Sequence, residues 1–153
     1  MRGNYLGYNA KNTNLMPTMR TAKNDFTKII YSELSYKING ILFAVRQELG
    51  GYCNEKQYCD LIEAKLKNEK IAYEREKILL GMFEGEQEGR HRVDFLIEDK
   101  IILEAKTKRF LTREDYYQLK RYLSVLRKKL GIIVNFHQKY IQPKRILNSS
   151  ATE

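Results

Sequence analysis

The sequence predicts an α/β protein, and three observations carry that reading. Apolar residues recur at helical spacing from Phe26 to Leu66, the period switches to strand-like from Ile71, and a last helical stripe runs into the short apolar segment GIIVNF. The predicted order is α-α-β-β-β-α-β, with one further short strand at the end. A length of 153 residues suits one domain with one core. The 42% hydrophobic and 31% charged content is that of a globular domain.

The first helix is expected over Asp25 to Leu49, its inner stripe being Phe26, Ile29, Ile30, Leu34, Ile38, Ile41, Leu42, Val45 and Leu49. Asn24 or Asp25 can cap its start, Gly40 weakens its middle and Gly50-Gly51 stops it. A second helix runs from Asn54, a suitable N-cap, to Lys70, with Tyr58, Leu61, Ile62 and Leu66 inward. Ile71 to Leu80 reads as a strand and EGEQEG, 84–89, as a polar turn. Arg92 to Ile97 and Ile101 to Thr107 form a hairpin about Glu98-Asp99-Lys100. Glu114 to Leu130 is helical, with Tyr116, Leu119, Leu123, Leu126 and Leu130 at 3–4 spacing, and Gly131 closes it. Ile132 to Phe136 is apolar throughout, as in a strand buried on both faces, and Lys144 to Leu147 is a last short strand. Residues 1–24 read as a flexible basic arm, 25–148 as a single domain and 149–153 as a loose tail.

The hairpin concentrates the chemistry. With a three-residue turn at 98–100, Ile97 faces Ile101, Phe95 faces Leu103 and Asp94 faces Glu104. One face then carries Val93, Phe95, Ile97, Ile101, Leu103 and Ala105, all apolar. The other carries Arg92, Asp94, Leu96, Ile102, Glu104 and Lys106. A two-residue turn would set Asp94 opposite Ala105 and mix the faces, which register disfavours. Two carboxylates this close repel unless a cation or proton intervenes. A hard divalent cation, Mg²⁺ with Mn²⁺ as substitute, is the natural solution. Lys106 points the same way and can hold an attacking water or stabilise phosphate charge. The plainer reading is an exposed Glu104–Lys106 edge pair.

Charge narrows the partner. The formal net charge is +9, and twelve basic residues against Glu114 and Asp115 between Lys106 and Arg145 account for +10. That asymmetry suits a polyanion, DNA ahead of RNA, and Lys108, Arg109 and Arg113 follow the acidic cluster directly. A solvated lysine-rich surface is the alternative. No apolar run nears the ~20 residues of a membrane span, and the N-terminus lacks the apolar segment of a secretory signal. Cys53 and Cys59, six apart, do not form a thiolate metal motif, so a reducing, cytoplasmic setting is expected. Glu55 opens the second helix with Tyr58 one turn on. Gln118 and Tyr122 share a face of the third. His91 and His137 receive no role.

These segments together resemble a known family. LSYKINGILFAVRQELG (34–50), Glu55-Lys56-Gln57-Tyr58, RVDFLIEDKIILEAK (92–106), Gln118 to Tyr122 and GIIVNF (131–136) resemble the PD-(D/E)XK nuclease superfamily and, more narrowly, its GxxExxY proteins. The resemblance covers residues 26–147. It implies a restriction-endonuclease-like αβββαβ core, a mixed central sheet flanked by helices. It also implies Asp94, Glu104 and a supplementary Glu55 as metal ligands, Lys106 as catalytic lysine, and Gln118 and Tyr122 as the QxxxY element that orients substrate. Two departures stand: Gly51 lies one position early, giving GxxxExxY, and Val93 replaces the motif's proline. The leading expectation is a Mg²⁺-dependent nuclease acting on DNA or RNA through a metal-activated water. The alternatives are a catalytically silent nucleic-acid-binding or accessory module, and a protein-interaction subunit or homodimer built on the tyrosine-rich helices.

Overall fold

The computed structural model describes residues 29–80 and 91–151. The expected arm, the caps at Asn24 and Asp25, Phe26 and the polar turn at 84–89 lie outside them. The chain divides into two units, residues 1–35 and 36–153, and the sheet lies wholly in the second. Of the first unit, the described part is a turn at Ile30–Tyr31 leading into helix α1, Ser32–Leu49. The helix thus begins later than its apolar stripe suggested. Tyr31 stands at φ 51°, a left-handed conformation that a continuing helix cannot contain, and its carbonyl accepts the first helical bond, from Ser35 N at 2.8 Å. Ile29 and Ile30 are accordingly surface residues.

Ile38, Ile41, Leu42 and Val45 of α1 are buried. Gly50, at φ 71°, ends the helix in the conformation glycine adopts most easily. Helix α2, Glu55–Asn68, starts on a reciprocal capping box: Gln57 N donates to Asn54 Oδ1 and Asn54 N to Gln57 Oε1, both at 2.9 Å. It buries Tyr58, Cys59, Ile62 and Leu66, while Leu61 is only half-buried.

Among the described residues the sheet has five strands in sequence order: β1 (Tyr73–Ile78), β2 (Arg92–Ile97), β3 (Ile101–Lys106), β4 (Leu130–Asn135) and β5 (Lys144–Leu147). All neighbours are antiparallel except β3 and β4, which need a crossover. Helix α3, Arg113–Leu126, supplies it. The β2–β3 register is the expected one, Ile97 with Ile101 and Phe95 with Leu103, about a turn in which Glu98 and Asp99 take positive φ.

Helices cover both faces. Leu119, Tyr122 and Leu123 of α3 pack with Leu96, Ile102, Ile133 and Ile146. On the other face Phe95, Leu103, Ile132 and Val134 are also fully buried, α2 lies against β3, and Tyr58 stacks on Phe136 with ring centroids 4.2 Å apart. Two expectations are corrected. Val93 joins the cluster of Leu96 and Ile102 rather than that of Phe95, because the β1–β2 pairing skips Glu76 and Asp94 and the alternation breaks there. Gly131 does not close the third helix. It lies within β4, where an added Cβ would sit 2.9 Å from the Leu119 side chain. The helix ends instead at Arg127, at φ 53°, which leaves Leu130 free to begin the strand.

Candidate active site

The β2–β3 ladder stops being regular where the carboxylates begin. Beyond the Phe95–Leu103 pair, side chains replace backbone partners. Ala105 N donates to Asp94 Oδ2 at 2.8 Å, and Asp94 N donates to Glu104 Oε1 at 3.2 Å. Each carboxylate thus occupies the backbone of the other strand, and the two are locked side by side. Lys106 Nζ lies 3.7 Å from Glu104 Oε2. The expected cluster of Asp94, Glu104 and Lys106 therefore forms, and more deeply than a half-buried face would place it: Glu104 is only 4% exposed.

Electrostatics set this pair apart. Burial pushes both carboxyls upward. For Asp94 the Ala105 N–H opposes that shift, Glu55 adds to it, Lys106 opposes it and Glu76 adds to it again. For Glu104 the neighbouring Asp94 reinforces the burial, and Lys106 and the Asp94 N–H offset part of it. Among the described residues Lys106 is the ammonium beside this buried and this half-buried carboxyl, so the pair when fully ionised carries more negative charge than it has positive charge to meet it.

The second-helix residues approach from the side. Glu55, Lys56, Cys59, Arg75, Glu76 and Asp94 line a cavity of about 140 Å³. Glu55 is the first residue of α2, exposed and held there by the Asn54 capping box. Tyr58 fixes the approach: its hydroxyl donates to Gly50 O at 2.6 Å and accepts from Cys53 N at 3.3 Å, closing the turn before the helix. Among the described residues no three His, Cys, Asp or Glu groups converge into a ready-made metal cage. The oxygen donors that could hold a cation here are Asp94 and Glu104, with Glu55 at the cavity wall. Two hard oxygen donors that repel each other when ionised fit a small divalent cation that keeps several waters.

Tyr122 is buried among the α3 core residues. Burial raises its phenol to about 12, with Glu104 next in effect, and its hydroxyl lies 3.5 Å from His91 Nδ1. Gln118, one turn earlier, is half-buried, and no hydrogen bond joins it to the acidic pair. Of the three basic residues after β3, Lys108 is committed elsewhere: its Nζ reaches both Asp115 oxygens at 2.9 Å, and Asn135 brackets its backbone through Oδ1 and Nδ2. Arg109 lies over the Phe110 ring at 5.3 Å, and Arg113 opens α3 on the surface.

Sequence reasoning missed Arg75 and Glu76. Arg75 pairs with Asp60 at 2.7 Å and Glu63 at 3.5 Å while lining the cavity. Glu76 takes φ 50° at the point where the ladder skips Asp94. A glutamate does not announce that conformation by its type, and no motif marks it. Cys53 and Cys59 are free thiols, Cys59 buried. No helix among the described residues is long and apolar enough to cross a membrane.

No curated protein and no solved structure matches the chain. A family model does, over residues 32–146, a span that takes in the three described helices, β1 to β4, all but the last residue of β5 and the acidic pair with its lysine, and the chain therefore belongs to the PD-(D/E)XK nuclease superfamily.

Proposed function

We propose that the chain is a metal-dependent nuclease hydrolysing phosphodiester bonds, of DNA ahead of RNA. The observation that carries this is the mutual lock of half-buried Asp94 and buried Glu104, with Lys106 beside Glu104. Asp94 and Glu104 would hold the cation, Mg²⁺ or Mn²⁺, and Glu55 would supplement them from the cavity wall. Such a cation, when bound, would supply Lewis-acid charge and would lower the pKa of a water. The chain's own groups do the rest. The Ala105 and Asp94 amides fix the carboxylates with no reorganisation at the moment of reaction. Lys106, held near Glu104, places positive charge where the phosphoryl oxygens gain negative charge. Arg109 and Arg113 hold the backbone of the substrate, and Gln118 and Tyr122 support the wall on the α3 side. Within the superfamily, we assign the chain to the GxxExxY group: Gly51, Glu55 and Tyr58 fit its pattern with the glycine one place early, and the Tyr58 bonds to Gly50 and Cys53 account for the tyrosine by holding the turn that presents Glu55.

The test is cleavage of labelled DNA and RNA with Mg²⁺ or Mn²⁺, compared with Lys106→Ala. Wild type is expected to cut, and Lys106→Ala to lose at least ~100-fold, the scale of one missing transition-state donor. No cleavage of any substrate, or equal cleavage by the variant, would sink the reading. Salt-sensitive binding without turnover would favour the silent module instead.

A further inference from the structure

Three loops meet at the end of the sheet that carries the acidic pair, and each exposes an aromatic ring. The parallel register sets Lys106 beside Asn135, so the loops leaving β3 and β4 start together. Asn135 bonds to both backbone groups of Lys108, and Phe136 N donates to Lys106 O at 2.9 Å. The α1–α2 turn is tied to the same place. His137 Nε2 lies 3.3 Å from Cys53 O, and Arg46 donates to Phe136 O at 3.1 Å and Gln138 O at 3.3 Å. From these fastened loops Tyr52, Phe110 and Tyr140 project, 102%, 69% and 76% exposed.

Large rings held on loops tied at their bases, yet bare to solvent, do not serve the core. Two of them carry a cation on the ring: Arg109 over Phe110 at 5.3 Å and Lys139 over Tyr140 at 5.5 Å. The segment Lys106–Arg145 that supplies both loops carries net +10, twelve basic residues against two acidic. Basic charge interleaved with exposed rings matches unpaired nucleotides, whose bases stack on rings while their phosphates meet the cations. Paired bases have no free faces to offer.

We propose that Tyr52, Phe110 and Tyr140 form a base-stacking platform beside the acidic pair, and that the substrate is single-stranded or locally unpaired nucleic acid. This rests on the nuclease reading for its location. Base faces are common to DNA and RNA, so the stacking chemistry does not choose between them.

The experiment is fluorescence-anisotropy titration of the full chain in EDTA, which separates binding from cleavage. Probes are single-stranded DNA, single-stranded RNA and duplex DNA of about 20 nucleotides, longer than one stacking site. Single strands are expected to bind at least ~10-fold more tightly than duplex. Each of Tyr52→Ala, Phe110→Ala and Tyr140→Ala is expected to weaken single-strand binding by about five- to ten-fold, at unchanged melting temperature and unchanged salt slope. Arg109→Ala is expected to reduce that slope by about 0.7. Equal affinity for duplex and single strands, no binding of any probe, or wild-type single-strand affinity in the triple alanine variant overturns the platform. Tight single-strand binding with no cleavage in Mg²⁺ would sink the nuclease reading and leave the platform standing. Cleavage that proceeds unchanged in the triple variant would do the reverse.

Discussion

Two groups of acidic side chains stand near the same end of the sheet, and they are treated in opposite ways. Asp115 is 7% exposed and surrounded by donors: Thr112 N at 2.7 Å, the Thr112 hydroxyl at 3.0 Å and the Lys108 ammonium on both oxygens at 2.9 Å. Burial alone would raise its pKa, but the Thr112 amide, Lys108 and the Thr112 hydroxyl outweigh that and hold it below the ordinary carboxylate value. Glu104 is as deeply set and Asp94 is half-buried, yet each has one backbone amide, and the lysine beside the pair, Lys106, lies 3.7 Å from Glu104. Their pKa values go up. A buried carboxylate that is fully neutralised is a staple. One left short of positive charge is kept at a cost to stability, and such sites are where function is found.

The largest expected effect breaks the comparison at its active side. Asp94→Asn keeps shape and removes charge, and should reduce cleavage at least ~100-fold. It should also abolish cation-induced stabilisation. In wild type, Mn²⁺ at about 100 times its Kd should add ~2.7 kcal/mol, read as a rise in Tm. An equal Tm rise in the variant would show that the ion binds elsewhere.

Stability should move in opposite directions at the two places. Asp115→Ala strips the α3 cap and strands Lys108, and should cost about 2 kcal/mol in denaturant unfolding. Asp94→Asn relieves repulsion in the metal-free protein and should stabilise it by about 1–2 kcal/mol near neutral pH. If both substitutions destabilise equally, the two acidic groups are alike and the contrast fails.

The contrast was half legible in the sequence. Periodicity fixes the hairpin, since only the three-residue turn keeps Phe95, Leu103, Ile97 and Ile101 on one face, and so Asp94, Glu104 and Lys106 come together. Capping chemistry likewise marks Asn54, because its partners are three residues away. What stayed hidden depends on backbone detail or on distant partners. The ladder gives way to side chains at Asp94, Glu76 adopts positive φ, and neither follows from residue type. Asp115 reads as an ordinary first-turn acid until the loop folds Lys108 onto it. Gly131 reads as a helix stop, yet its lack of a side chain serves contact with Leu119, and Arg127 takes the left-handed conformation instead.

The smallest effect sharpens the comparison without any substitution. Asp94 and Glu104 have folded pKa values above their unfolded ones, so the folded state binds more protons than the unfolded state between those values. Their contribution to stability is therefore fully present below the ordinary carboxylate range, about pH 4, and declines as pH rises through the raised values. Asp115 is the opposite case: its folded pKa is depressed, so its contribution is present above about pH 4 and is lost as pH falls through the folded value. The two windows adjoin rather than overlap. Metal-free protein in EDTA should thus be most stable at mildly acidic pH and lose stability toward pH 8, whereas a cation held by the pair replaces the protons and should flatten that decline. Denaturant midpoints across this range, with and without Mn²⁺, measure both slopes. A metal-free midpoint that climbs steadily to pH 8 would mean the pair is already neutralised within the chain, and the case for a cation there would lose its electrostatic basis.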